Sequence, residues 1–314
     1  MVSASGVRIK WADLPEHVRA EVEAIIGDVV VETRSQQGGF SPGTAERVRT
    51  AGGRRAFVKA VSGAQNERSV QLYRQEALIT AALPPGVPAP RLLGCHDDGD
   101  WVALVLQDVE GRHPVTPWTA AELDAVLATL GVLARRMTPC PMPELPTAAA
   151  SLGEDLSGWE RLSADPPADL DPWAVAHLAD LVELGAAGVA ALAGDTVAHT
   201  DVRADNMLVG PDGTVTLVDW PWACVGPAWL DTMMIMVNVN LFGGHDVDAL
   251  LAAHTPALGA RPEQLTAVLA GMTGYFLDAC RTPPPVGLPT VRAFQRAQGE
   301  SSLRWLRSRI EAAR

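Results

Sequence analysis

Cysteine, lysine, basic charge and long apolar runs are all in short supply in this 314-residue sequence. Each shortage narrows what the chain can be. The four cysteines (Cys95, Cys140, Cys224, Cys280) are scattered and form no CxxC pair. That argues against a zinc site and more strongly against a disulfide framework, and it makes a reducing cytoplasm the expected compartment. Apolar stretches such as Met233–Val239 are far shorter than the roughly 20 residues of a membrane span, so no membrane partner is expected. The first residues, MVSASGVRIKWADLPE, contain no apolar core of a secretory signal. Lys+Arg number 25 against 37 Asp+Glu, a net charge of −12, which argues against a nucleic-acid backbone as partner. What is present, 47% hydrophobic and 20% charged residues, is a globular composition. The length suffices for a two-lobed enzyme, monomeric or homodimeric.

The pattern of elements changes along the chain. Pro15–Ile26 has the spacing of an amphipathic helix, with Val18, Val22, Ile25 and Ile26 on one face and Gly27 as its stop. Three strand-like runs follow, Asp28–Arg34, Thr44–Thr50 and Arg55–Val61, joined by QQGGFSPG and AGGR. A helical pattern over Glu67–Leu83 ends at Pro84-Pro85-Gly86, and Pro90–Cys95 and Trp101–Gln107 are strand-like again. Beyond Gly111 the sequence predicts helices over Ala120–Met137 and Trp173–Leu192, with a Pro-rich surface loop between them. Two short strands, Asn206–Val209 and Thr214–Asp219, flank the turn PDG. Helices then resume over Trp229–Leu241, Asp246–His254, Pro262–Cys280 and Leu288–Ala313. The expectation is an α+β chain. A small antiparallel-sheet lobe with one crossing helix (1–107) is followed by a join (108–111) and a larger, mostly helical lobe (112–314).

The chemistry is concentrated in VAHTDVRADNMLVGPDGTVTLVDWPWA. His199-x-Asp201 is followed by Asn206 five residues after the aspartate and by Asp219 thirteen residues after that. Phosphoryl transfer needs a carboxylate to orient and deprotonate an acceptor hydroxyl, and oxygen ligands for Mg²⁺ on a nucleoside triphosphate. One Asp, one Asn and a second Asp on a loop and its adjoining hairpin can supply all of these. Upstream, Gly38-Gly39-Phe40-Ser41-Pro42-Gly43 joins two strands, and the N–H groups of such a turn can approach phosphates closely. A glycine-rich turn is also what any hairpin needs. Lys59 sits in the apolar strand Phe57-Val58-Lys59-Ala60-Val61, where a lone lysine ordinarily points to solvent.

The run around Asp201 resembles the catalytic and metal loops of the aminoglycoside phosphotransferase family, which has the protein-kinase fold. Similar motifs occur in choline, macrolide and homoserine kinases of that type. The resemblance covers residues 28 to 240 and implies a bilobal protein-kinase-like fold. It implies Asp201 as catalytic base, with Asn206 and Asp219 as ligands of two Mg²⁺ ions. Arg203 stands where protein kinases carry a lysine that touches the transferring phosphoryl, so it either stabilises charge there or is a surface arginine. Ser41-Pro42 matches the segment that caps the phosphates, with Gly39 beside it. Lys59 matches the lysine that grips the α- and β-phosphates. Glu76 matches the helix glutamate that pairs with that lysine, and Glu67 is a second, less well placed candidate. Gln107 and Val109 fall where the backbone meets the purine, which leaves ATP and GTP both open. Asp219 is followed by Trp-Pro rather than Phe-Gly, and no A-P-E segment follows, so a protein substrate is not expected.

The function expected is transfer of a γ-phosphoryl group to a hydroxyl of a small molecule. An antibiotic of aminoglycoside, peptide or nucleoside type leads, inactivated to give resistance. A metabolic kinase for choline, homoserine or a sugar is the alternative, and a regulatory pseudokinase is the reading from another class. Residues 97–280 hold 6 Lys+Arg against 26 Asp+Glu, which favours a cationic or neutral acceptor. Trp222, Trp229, Tyr275, Phe276, Asp278 and Trp305 are either core or part of an acceptor pocket.

Overall fold

The computed structural model describes residues 8–36 and 42–313. Packing groups them into two compact units. The first runs to Pro114 and adds Asp205–Trp222 and Pro284–Val291; the second comprises Val115–Ala204, Ala223–Pro283 and the chain from Arg292. The expected segments 1–107, 108–111 and 112–314 divide the chain linearly, whereas packing places 205–222 with the first unit. The reason is local: Leu217 donates its N–H to the Pro88 carbonyl (2.7 Å), and Arg112 and Val209 exchange backbone hydrogen bonds.

The first unit is a five-stranded antiparallel sheet with a helix on each face. Its elements are α1 (Glu16–Ile26), β1 (Val30–Ser35), β2 (Thr44–Thr50), β3 (Arg55–Ser62), α2 (Gly63–Ala82), β4 (Leu92–Asp97) and β5 (Trp101–Gln107). The spatial order is β1-β2-β3-β5-β4. Side chains alternate across a strand. Ala56, Val58 and Ala60 of β3, with Ala103 and Val105 of β5, pack under Val18, Val22 and Ile26 of α1. The intervening Val61, Val102, Leu104 and Leu106 face the other way, against Val70, Tyr73 and Ala77 of α2. Both sheet faces are covered, so β5 reads as one unbroken apolar run rather than an alternating one. The regular part of α2 begins where the sequence places it. Asn66 is non-helical (φ −168°, ψ 107°), and its Oδ1 accepts the Ser69 N–H at 2.8 Å, a capping bond.

The second unit is helical. It contains α3 (Ala120–Arg136), α4 (Ala148–Leu156), α5 (Gly158–Ala164), α6 (Pro172–Ala176), α7 (Leu178–Ala190) and β6 (Thr196–Ala198). The hairpin β7 (Met207–Val209) and β8 (Val215–Leu217) belongs to the first unit; β9 (Cys224–Gly226) then pairs with β6 in the second. The rest is α8 (Leu230–Phe242), α9 (Val247–His254), α10 (Pro262–Ala279) and α11 (Val291–Ala312). Helices cross closely where glycine removes the side chain. A Cβ on Gly158 of α5 would lie 2.3 Å from the Gly274 carbonyl carbon of α10, and one on Gly188 of α7 would lie 2.5 Å from the Ala267 oxygen.

Three expectations need correction. The single helix over Trp173–Leu192 is α6 and α7, broken at His177 (φ −117°, ψ 16°), whose Nδ1 bonds the Trp173 carbonyl at 2.8 Å. A ring that competes for a helix carbonyl interrupts the ladder. Helices α4 and α5 were not anticipated beyond the Pro-rich loop, although Thr147 caps α4 by accepting the Ala150 N–H. The three-residue strands β6 and β9 are too short to leave a periodic signal.

Candidate active site

The chain has two lysines, Lys10 and Lys59. The period of β3 turns Lys59 to the α2 side of the sheet, next to Phe57 and Val61, and there it is buried (7% exposed). A buried ammonium must be paired. Lys59 Nζ donates to Glu76 Oε2 at 2.6 Å and to Asp219 Oδ1 at 2.8 Å. Its charge also lies 5.0 Å from the ring centroid of Tyr73, one turn before Glu76 on α2. Burial opposes the charge on Lys59, but Asp219 and Glu76 outweigh it, so the ammonium is held above its ordinary range. Burial pushes the Glu76 carboxyl up, and Lys59 offsets part of that; the Trp220 backbone N–H also bonds it. Trp220 is itself fully buried, with its indole N–H on the Leu217 carbonyl at 3.0 Å. The tryptophan of the V-D-W run thus positions the glutamate that positions the lysine.

Asp219 has φ 68°, a left-handed conformation that costs a non-glycine residue energy. Asn206 is 2% exposed, and its carbonyl accepts the Val218 N–H at 2.9 Å, which fixes the β7–β8 hairpin beside Asp219.

Lys59, Glu76, Asn206 and Asp219 line the polar end of a cavity of about 140 Å³ within the first unit. Ala45, Phe57 and Leu106 form one apolar wall, and Leu208 and Val218 are also apolar lining. Gln107 and Val109 lie along the same cavity. Gln107 already donates its backbone N–H to the Arg91 carbonyl (2.8 Å), so its carbonyl is the backbone group it can offer a base. Sequence reasoning missed Asp108 between them. Its side chain is 4% exposed and accepts from Arg47 (2.6 Å) and Arg55 (2.7 Å), arginines of β2 and β3 that anchor this segment to the sheet. The charge run of β2 and β3 is a signal for such a partner, but it names none.

Asp201 and Arg203 lie in the second unit and pair with each other, Nη1 to Oδ1 at 2.6 Å. Thr200, just before Asp201, has φ 61°. The buried Asp231 carboxylate holds this loop by accepting the N–H groups of His199 (2.8 Å) and Thr200 (2.9 Å). The Asp231 side chain therefore positions the loop that carries Asp201. Tyr275 is pushed up to about 12 by burial and by the charges of Asp155 and Asp201. Of the six residues named as core or pocket, Trp229, Phe276 and Trp305 are buried, and Asp278 is paired to Arg161 (2.5 Å). Gly39 and Ser41 lie outside the described residues. The structure brings Lys59, Glu76, Gln107, Val109, Asn206 and Asp219 to one cavity, and it brings Asp201 and Arg203 to each other.

A lysine on the third strand of an antiparallel sheet, paired to a helix glutamate and a hairpin aspartate, is the arrangement of a protein-kinase-like fold. The chain belongs to the phosphotransferase enzyme family (APH), whose sequence model matches residues 37–267. Solved structures agree on the fold. An aminoglycoside phosphotransferase from Alicyclobacillus acidocaldarius aligns over 95% of this chain and 97% of its own, at 18% identity and a TM-score of 0.56. A thermostable mutant of aminoglycoside phosphotransferase APH(4)-Ia, in ternary complex with AMP-PNP and hygromycin B, aligns over 94% and 99%, at 15% identity and 0.60. The choline kinase LicA from Streptococcus pneumoniae aligns over 93% and 98%, at 13% identity and 0.61. A comparison with curated protein sequences finds no match. The chain is a phosphotransferase by family.

Proposed function

We propose that the chain moves the γ-phosphoryl group of ATP or GTP to a hydroxyl of a small-molecule antibiotic. The observation that carries this reading is Lys59 held between Glu76 and Asp219 at the polar end of the cavity. The purine lies between the apolar walls and bonds the backbone at Gln107 and Val109. Lys59 grips the α- and β-phosphates, and Glu76 fixes its ammonium in place. The acceptor oxygen attacks the γ-phosphorus, and the bond from that phosphorus to the β–γ bridging oxygen breaks. The nucleoside diphosphate leaves, and Asp201 takes the hydroxyl proton. The Asn206 amide oxygen and the Asp219 carboxylate are hard oxygen donors, and the burial of Asn206 orients it, so the pair suits Mg²⁺. Mg²⁺, when bound, would neutralise charge on the β- and γ-phosphates. Arg203 orients the Asp201 carboxylate, and it is the group proposed to stabilise charge on the transferring phosphoryl.

For the acceptor, the acidity of residues 97–280 favours a cationic or neutral polyhydroxylated molecule of aminoglycoside, peptide or nucleoside type. Asp155, Asp201 and Tyr275, electrostatically coupled in the second unit, are the groups proposed to meet it. The hygromycin B complex of one structural neighbour supports an antibiotic, and the choline kinase neighbour keeps a metabolic acceptor as the second reading. A coupled assay of nucleoside-diphosphate release over a panel of hydroxylated antibiotics and metabolites tests this. Acceptor-dependent release with an antibiotic supports the leading reading. Release confined to choline, homoserine or a sugar replaces it with the second. Nucleotide binding without release against any acceptor supports a regulatory role instead.

A further inference from the structure

Three metal-binding side chains that play no part in phosphoryl transfer meet at one point of the first unit. His17 stands at the second position of α1, His96 lies in β4, and Asp98 begins the turn to β5. They are 81 and 2 residues apart in sequence from the shared aspartate, so the fold assembles them. His17 Nε2 is 3.0 Å from Asp98 Oδ2, and His96 Nε2 is 3.4 Å from the same oxygen. One ligand atom from each lies within 4.8 Å of the others, and no other group of His, Cys, Asp or Glu among the described residues meets that test.

The carboxylate is built to present one oxygen. Asp98 Oδ1 accepts the N–H groups of Asp100 (3.0 Å) and Trp101 (2.7 Å), which leaves Oδ2 aimed at the two rings. The neighbouring charge is already matched: Arg74 forks onto Asp97 at 2.7 and 2.8 Å. Tetrahedral zinc with bonds of ~2.0–2.1 Å sets its ligands ~3.3 Å apart. Both imidazole–carboxylate separations are already near that value. The remaining ring-to-ring edge can close by rotation of His17, whose side chain is 59% exposed.

We propose that His17, His96 and Asp98 form a site for a divalent transition-metal ion of the zinc type, with water completing the sphere and α1 tied to the β4–β5 turn. Two imidazoles and a carboxylate select zinc, nickel or copper over magnesium, whose preference is for oxygen alone. The site is therefore chemically separate from Asn206 and Asp219. The ion fastens the N-terminal end of a helix whose apolar face packs on the sheet through Val18, Val22 and Ile26 and whose C-terminal end is held by Arg54 on the Ile26 carbonyl (2.6 Å). The competing account is a hydrogen-bonded His–Asp–His cluster that takes up no metal.

The test is calorimetric titration of the nucleotide-free full chain with Zn²⁺, in millimolar Mg²⁺ so that oxygen-rich sites are filled. The same samples are melted with and without zinc. The expected result is one zinc per chain and a raised melting temperature. In His17→Ala the affinity should fall by at least the roughly 10–100-fold that loss of an outer-shell partner costs, and the thermal gain should vanish. Phosphotransfer without zinc should equal that of the wild type in this variant. Substitution of the exposed His17 leaves the packed core intact, so the result does not hinge on a variant that fails to fold. Co²⁺ supplies a second readout, a visible absorption band of four-coordinate nitrogen and oxygen ligation. No zinc uptake at micromolar concentrations would overturn the proposal and leave the hydrogen-bonded cluster. Equal uptake by wild type and His17→Ala would overturn it as well.

Discussion

At the scale of single residues, Lys59 and Glu76 show how a buried pair makes function and stability depend on each other. Removing Lys59 leaves Glu76 buried beside Asp219, so its carboxyl rises further and takes up a proton. An unfolded glutamate titrates near ~4.3. Between that value and the higher folded one, the folded chain holds the extra proton, so stability is complete at low pH and is lost as pH rises through the folded value. We predict that the stability deficit of Lys59→Ala, measured by urea denaturation, grows as pH rises above about 7, the value of Glu76 with its partner present, with a slope of up to about 1.4 kcal/mol per pH unit. A deficit independent of pH would show that Glu76 stays ionised without its partner. Nucleotide binding should weaken in the same variant, and a double-mutant cycle with Glu76→Ala should show coupling of about 0.5–3 kcal/mol. Much at this scale was legible in the sequence. Lys59, Glu76, Asn206 and Asp219 were placed by motif, and the structure gathers them at one cavity. What was not legible is what holds them. Asp108 is anchored by Arg47 and Arg55, and Asp231 reaches back to His199 and Thr200, partners 31 to 61 residues away that no local pattern links.

At the scale of elements, period and punctuation located most helices and strands, and Thr44–Thr50 and Trp101–Gln107 match their strands end to end. The failures have local causes. His177 interrupts a helical pattern with a side chain-to-backbone bond, and β6 and β9 exist only because they pair with each other. Helix crossings carry no periodic signal either, because they rest on the absence of a side chain. Gly158 meets Gly274 with no room for a methyl group. We predict that Gly158→Ala destabilises the chain by about 1–3 kcal/mol through the shift it forces between α5 and α10. Gly153→Ala in α4, where a new Cβ meets only Val189 Cγ1 at an ordinary 3.5 Å, should be neutral or slightly stabilising. Thermal denaturation of the two variants side by side checks this. Equal effects would mean that the crossing relaxes freely.

At the scale of the whole molecule, charge is the property that the sequence displays and that the proposed acceptor site would use. Residues 1–96 carry 12 Lys+Arg against 9 Asp+Glu, and residues 97–314 carry 13 against 28. Part of that acidity is matched locally, as in Asp278 with Arg161 and Asp165 with Arg281. The remainder gives a field that concentrates cations. For a cationic acceptor, KM should rise severalfold as ionic strength goes from about 0.01 M to about 0.15 M, where the screening length falls to about 8 Å, while kcat holds. A flat profile would point to a neutral acceptor, and a best acceptor that is anionic would contradict the electrostatic argument. The central claim, that this fold transfers a phosphoryl group with Asp201 as the base, is tested most directly by Asp201→Asn. With any acceptor that turns over, kcat should fall by about 10²–10⁴-fold, because the base acts on the acceptor hydroxyl. Nucleotide affinity, which the proposal assigns to the cavity of the first unit, should stay near wild type. Turnover in Asp201→Asn close to that of the wild type would contradict the account.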